Sequence, residues 1–158
     1  MTASTPPSIH ASAVLIGARG ALIRGPAGSG KSRLVLALIE AARAGLLPFA
    51  RLVADDRVLV EAVRGGLLLR PAPALAGLIE TRGIGIIRLP YEPVALAGWV
   101  IDLASTAATR LPEQTERSVE IAGITLPRLA MGAGLDPLPA ALALLRGGPH
   151  LAIEAGIT

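Results

Sequence analysis

The stretch Gly25-Pro-Ala-Gly-Ser-Gly-Lys-Ser32 constrains this chain more than any other. It meets the phosphate-loop spacing G-x-x-x-x-G-K-[ST] at every fixed position. The chemistry explains the residue types. Glycines let backbone N–H groups curl around phosphate oxygens with no Cβ in the way. Lys31 brings a point charge to the terminal phosphates, and the Ser32 hydroxyl can ligate Mg²⁺. Gly25, Pro26, Ala27, Gly28, Ser29, Gly30, Lys31 and Ser32 are therefore the candidate nucleotide-binding residues. The flanks fit as well: residues 20–24 suit a strand entering the loop, and residues 31–44 suit a helix whose N-terminus faces the anion. Lys31 is also the only lysine in the chain. A plain Gly/Ser turn before an ordinary helix would not call for a lysine at that one place. The expected ligand is a nucleoside triphosphate.

In chain order, residues 1–8 read as a disordered lead and Ile9–Ile16 as a strand. A turn at Gly17–Gly20 then makes residues 21–24 a hairpin partner. A hairpin ahead of the loop predicts a mixed or antiparallel sheet, not the parallel entry of a dinucleotide fold. Residues 51–56, Arg-Leu-Val-Ala-Asp-Asp, are an apolar strand ending in acid, the way a carboxylate is delivered to a metal beside a phosphate loop. Strand alternation separates the duties of the two aspartates: one for the metal, the other a general base. The plainer alternative is two solvated carboxylates in a turn. Residues 58–63 and 66–70 form a second expected hairpin. Glu80 and Arg82 sit among apolar residues and glycines in residues 79–88, where a surface ion pair is the plainer reading. Val94–Leu103 is the most apolar strand, and residues 105–120 an exposed loop. Short strands follow at 118–121 and 124–126, with a terminal helix at 135–145. Residues 9–146 are expected to form one domain and 147–158 a tail. His10, at a strand start, carries little weight alone.

Composition narrows the partners. A mean hydropathy of +0.59 favours an oligomer that shares apolar surface. One Phe, one Trp and one Tyr give no base-stacking platform, so no nucleic-acid partner is expected. Cysteine is absent, which removes disulfides and thiolate chemistry. No segment has the length or apolarity of a signal peptide or membrane span, and the expected location is cytoplasmic.

Together these pieces resemble the catalytic domain of the HPr kinase/phosphorylase family, in which a histidine precedes the loop by the interval separating His10 from Lys31. The family's LVADD stands unchanged at residues 52–56, and its signature, close to EIRGLGII, appears at residues 80–87 as Glu-Thr-Arg-Gly-Ile-Gly-Ile-Ile. The resemblance implies an α/β fold: a phosphate loop on a mixed, largely antiparallel sheet flanked by helices, like phosphoenolpyruvate carboxykinase. It further implies an ATP- and Mg²⁺-dependent kinase of a serine on the phosphocarrier protein HPr, with reverse phosphorolysis, acting as a homo-hexamer. Ser32 and Glu80 would ligate Mg²⁺ alongside Asp55, and Lys31 would stabilise the transferring phosphoryl group. Asp56 would exchange the serine proton, His10 would lie near the phosphate, and Arg110 matches the distal-loop arginine. The chain departs from the family at Arg33, where an acid is usual, and at residues 126–134, which keep one arginine of an Arg/Gly-rich loop. The regulatory N-terminal domain of the family's longer members is expected to be absent. A nucleotide-sensing module without transfer, or a small-molecule kinase, stands as the alternative reading.

Overall fold

A computed structural model describes residues 6–106 and 117–147. The first hairpin pairs β2 (Ala11–Ile16) with β3 (Arg19–Arg24), Ala11 opposite Arg24 and Ile16 opposite Arg19. Its turn is tighter than the sequence suggests, because only Gly17 and Ala18 lie between the strands. Ahead of it, β1 (Ser8–Ile9) pairs with β5 (Val58–Val63), so Ser8, placed in the lead on sequence grounds, belongs to the sheet. The strand β4 (Ala50–Ala54) lies antiparallel to β2. The second hairpin is β5 with β6 (Gly66–Pro71).

The apolar run becomes β9 (Ala95–Asp102), the hub of the sheet. It pairs parallel with β3 along one edge; along the other it meets β6 near its start and β11 (Ile124–Ala130) near its end. β10 (Ser118–Ile121) folds back on β11. The outcome is a mixed nine-stranded sheet in the order β1-β5-β6-β9-β3-β2-β4, with β11 and β10 branching from β9. Apart from β3–β9 and β9–β11, its pairings are antiparallel, as expected. A separate hairpin, β7 (Leu78–Thr81) with β8 (Gly85–Arg88), carries the signature segment.

Strand alternation distributes the apolar residues over both faces. Val14, Ile16, Ala21, Ile23, Trp99 and Ile101 face α1 (Lys31–Arg43) and α2 (Leu138–Arg146). Ala11, Ala13, Leu22, Val100, Val60 and Leu69 fill the other core. Helix α1 buries Leu34, Val35, Leu38 and Ile39 at helical spacing and stops at Ala44, where Gly45 takes φ +81°. Truncating Leu38, fully buried, would cost about 2–5 kcal/mol. Among the described residues no helix is long and apolar enough to cross a membrane.

This topology aims several ends at one place. The carboxyl ends of β3, β4 and β9 coincide with the amino end of antiparallel β2. The glycine-rich loop, both aspartates of residues 55–56, His10 and Ser12 therefore meet at a single sheet edge.

Candidate active site

The loop after β3 turns through positive-φ glycines, Gly28 at +79° and Gly30 at +98°. A side chain at Gly25 would be crowded for a different reason: a Cβ there would lie 2.5 Å from Ser29 Oγ and 3.0 Å from the Leu103 carbonyl oxygen. Gly30 caps α1 without a side-chain hydrogen bond, and no acid occupies the first turn. The leading N–H groups of the helix thus lack a side-chain acceptor and face the loop. Lys31 is 7% exposed and donates from Nζ to the carbonyls of Gly25 (2.9 Å) and Pro26 (3.1 Å), folding its ammonium over its own loop. Ser29 Oγ is buried with no hydrogen-bond partner.

Beside this loop, Asp55 is the meeting point of three segments. Its Oδ1 accepts from Ser32 Oγ and from Ser12 Oγ, each at 2.7 Å, and its Oδ2 accepts from the Glu80 backbone N–H at 3.2 Å. The carboxylate is buried, and none of these donors is a cation. The Glu80 side chain itself is exposed. β4 ends one residue earlier, so the split between the aspartates arises from the chain leaving the strand and not from alternation within it. Asp56 takes φ +66°, a left-handed conformation an aspartate tolerates at modest cost, which turns its carboxylate to solvent. There its Oδ1 lies 3.0 Å from His10 Nε2.

On the other side of the loop, Asp102 at the end of β9 sits between two guanidinium groups. Arg24 bonds both its oxygens at 2.7 and 2.8 Å, and Arg128 reaches Oδ2 at 2.6 Å. Burial alone would raise the Asp102 carboxyl. The hydrogen bonds and charges of Arg24 and Arg128 outweigh it and hold the group below the ordinary carboxylate range. Arg128, the arginine kept from the late loop, is thus engaged in joining β11 to β9 and β3.

A cleft of about 640 Å³ opens on this same side, between Gly28–Gly30, Arg33, Leu103 and the segment 131–138 that leads into α2. A smaller apolar cleft of about 300 Å³ lies near Pro48 and Phe49 at the far end of α1, remote from these side chains.

The structure therefore brings together His10, Lys31, Ser32, Asp55, Asp56 and the Glu80 backbone. Arg110 lies outside the described residues. Ser12 was missed by sequence reasoning; its one signal was a hydroxyl inside the otherwise apolar run of residues 11–16.

Comparison with known proteins places this mixed α/β architecture in one group. A solved structure of the Hpr(Ser) kinase/phosphatase from Coxiella burnetii superimposes with a TM-score of 0.72 at 25% identity, over 89% of each chain. Residues 2–91 match the HPr Serine kinase C-terminal domain family, and the chain belongs to it. HPr kinase/phosphorylase of Streptococcus thermophilus is 44% identical over 81 residues, covering 51% of this chain and 24% of that protein. The enzyme of that name from Clostridium tetani is 39% identical over 71 residues, covering 45% of this chain and 21% of the relative. The matched stretch thus spans about a quarter of those relatives' length.

Proposed function

We propose that this domain is an ATP- and Mg²⁺-dependent protein-serine kinase acting on HPr, with phosphorolytic reversal, working in the cytoplasm as a homo-hexamer. The observation that carries the reading is the division between the two aspartates: Asp55 buried and tied to Ser32 and Glu80, Asp56 exposed beside His10.

Several features support a metal–nucleotide here. Asp55 is a buried carboxylate with no cation among its hydrogen-bond partners, an arrangement that leaves its charge open to one. The donor set of Ser32, Asp55 and Glu80 is all oxygen, which suits Mg²⁺. Among the described residues no three of His, Cys, Asp and Glu form a cage. Mg²⁺ fits that pattern, because it is ordinarily held by one or two carboxylates plus phosphate oxygens. The uncapped start of α1 and the orphaned Ser29 hydroxyl supply donors for the phosphates. The cleft beside Arg33 has room for the nucleoside.

Bound Mg²⁺ would neutralise phosphate charge, held by Ser32 and Glu80, with Asp55 direct or through water. Asp56 accepts the proton of the acceptor serine as its oxygen bonds to the γ-phosphorus and the bond to the bridging oxygen breaks. His10, hydrogen bonded to one Asp56 oxygen, leaves the other free for that proton. Lys31 exchanges its loop carbonyls for the charge of the transferring group. In the reverse direction inorganic phosphate attacks the seryl phosphorus, the P–O bond to serine breaks as pyrophosphate forms, and Asp56 returns the proton to the serine oxygen. Exposed Ile84, Ile86 and Leu135 offer apolar surface for subunit contacts.

The test is incubation of the purified protein with labelled ATP, Mg²⁺ and HPr, reading serine phosphate by mass spectrometry. Phosphoserine on HPr is the expected result. Nucleotide binding with no transfer would point to a sensor, which has no need of an exposed base such as Asp56.

A further inference from the structure

Four polar or charged side chains are buried among the described residues: Ser12, Lys31, Asp55 and Asp102. Three of them have roles above; Ser12 does not. It is fully buried on β2 and, by strand alternation, heads the row Ser12–Val14–Ile16 that faces α1. The two residues behind it are core. An apolar side chain would serve equally well at Ser12 unless a neighbour needs its proton. That neighbour is Asp55, whose Oδ1 accepts from Ser12 at 2.7 Å.

The geometry also shows why one serine is not enough. Ser32 donates to the same Oδ1, also at 2.7 Å. A hydroxyl that ligates a cation through a lone pair keeps its proton, but the direction of its O–H is then set by the metal as well as by Asp55. The Glu80 N–H, at 3.2 Å on the other oxygen, is the longest of the three bonds. Without Ser12, losing the Ser32 bond would leave the Asp55 carboxylate oriented by one long hydrogen bond.

We infer that Ser12 is a positioning residue of the site, fixing the Asp55 carboxylate while the Ser32 hydroxyl turns toward Mg²⁺. This rests on the Mg²⁺–nucleotide reading above. Ser12 is held by the sheet: it pairs with Ile23 of β3, and β4 joins the strand from Ala13 onward, whereas Ser32 begins a helix behind a glycine-rich turn. Ser12 touches neither metal nor nucleotide. Its effect passes through Asp55, and so should appear only where the metal takes part.

Isothermal titration of ATP, with Mg²⁺ and again in EDTA, separates the possibilities. Ser12→Ala removes the donor, Ser12→Cys keeps the size with a weak donor, and Ser12→Thr keeps the hydroxyl. Ala and Cys are expected to weaken Mg·ATP binding roughly tenfold or more while leaving binding in EDTA unchanged, with Thr close to wild type. Should Ser12→Ala fail to fold, Ser12→Cys against Ser12→Thr carries the comparison at nearly constant volume. Equal Mg·ATP affinity in Cys, Ala and wild type overturns the role of Ser12. A loss of equal size with and without Mg²⁺ overturns it too, since that marks a packing defect. Wild-type protein that binds ATP no better with Mg²⁺ than in EDTA overturns the metal–nucleotide reading itself, and the inference with it.

Discussion

Asp55 and Asp102 are two buried carboxylates at the same sheet edge, one on each side of the glycine-rich loop, and they are stabilised in opposite ways. Asp102 is enclosed by Arg24 and Arg128, with its charge answered within the fold. Asp55 receives two hydroxyls and one backbone N–H, and among the described residues no cation is paired with it. A carboxylate held by guanidinium groups has nothing left to offer a cation. One held by neutral donors has no counter-charge at hand and can take a cation as its partner. The difference puts Asp102 in the frame that carries the loop and, on the proposed function, leaves Asp55 for the metal.

The largest expected effect lies beside Asp55. Asp56→Asn keeps size and hydrogen bonding but cannot take a proton, so kcat should fall about 10²–10⁴-fold. Nucleotide affinity should hardly move. If the variant instead loses Mg·ATP affinity and keeps its maximal rate, the division between the two aspartates is reversed.

Lys31→Ala should slow transfer by about 10²–10³-fold, the usual cost of one charge-stabilising donor. Its melting temperature should stay close to wild type, because the ammonium bonds only its own loop carbonyls. Near-wild-type turnover would show that the loop is not the phosphate site.

On the Asp102 side the expected loss is in stability. Asp102→Asn leaves two arginines facing each other and should cost about 2–3 kcal/mol, less than a fully buried pair because both guanidinium groups retain some solvent. The pH dependence has a definite sign. The folded pKa of Asp102 lies below its unfolded value, so its contribution is complete above about pH 4 and fades as pH falls through the folded value. Denaturant melts from pH 7 down to pH 2 should show wild type losing stability in that acid window more steeply than Asp102→Asn. Parallel curves would remove Asp102 from the frame.

Much of the frame was legible because it is local. The glycine-rich loop, its helix, and the hairpins β2–β3 and β5–β6 are set by turn residues and periodicity within short windows. So were the acids at residues 55–56, though their separation was ascribed to alternation when the chain leaves the strand at Ala54 and turns at Asp56. What could not be read is non-local. Arg24 meets Asp102 from 78 residues away, Ser12 meets Asp55 from 43, and the apolar run of β9 gave no sign that it would pair with three strands. Each partner looks ordinary in its own window, and only the topology reveals the pair.

The most direct test sets the two aspartates against each other: Asp55→Asn and Asp102→Asn, each measured for Mg·ATP affinity and for thermal unfolding. Asp55→Asn should lose most of the Mg²⁺-dependent gain in ATP affinity while melting at or above the wild-type temperature, since it removes a buried charge with which no cation is paired among the described residues. Asp102→Asn should melt several degrees lower and, while folded, bind Mg·ATP as wild type does. The opposite pattern, with Asp102→Asn losing the metal-dependent affinity and Asp55→Asn the stability, would contradict the account.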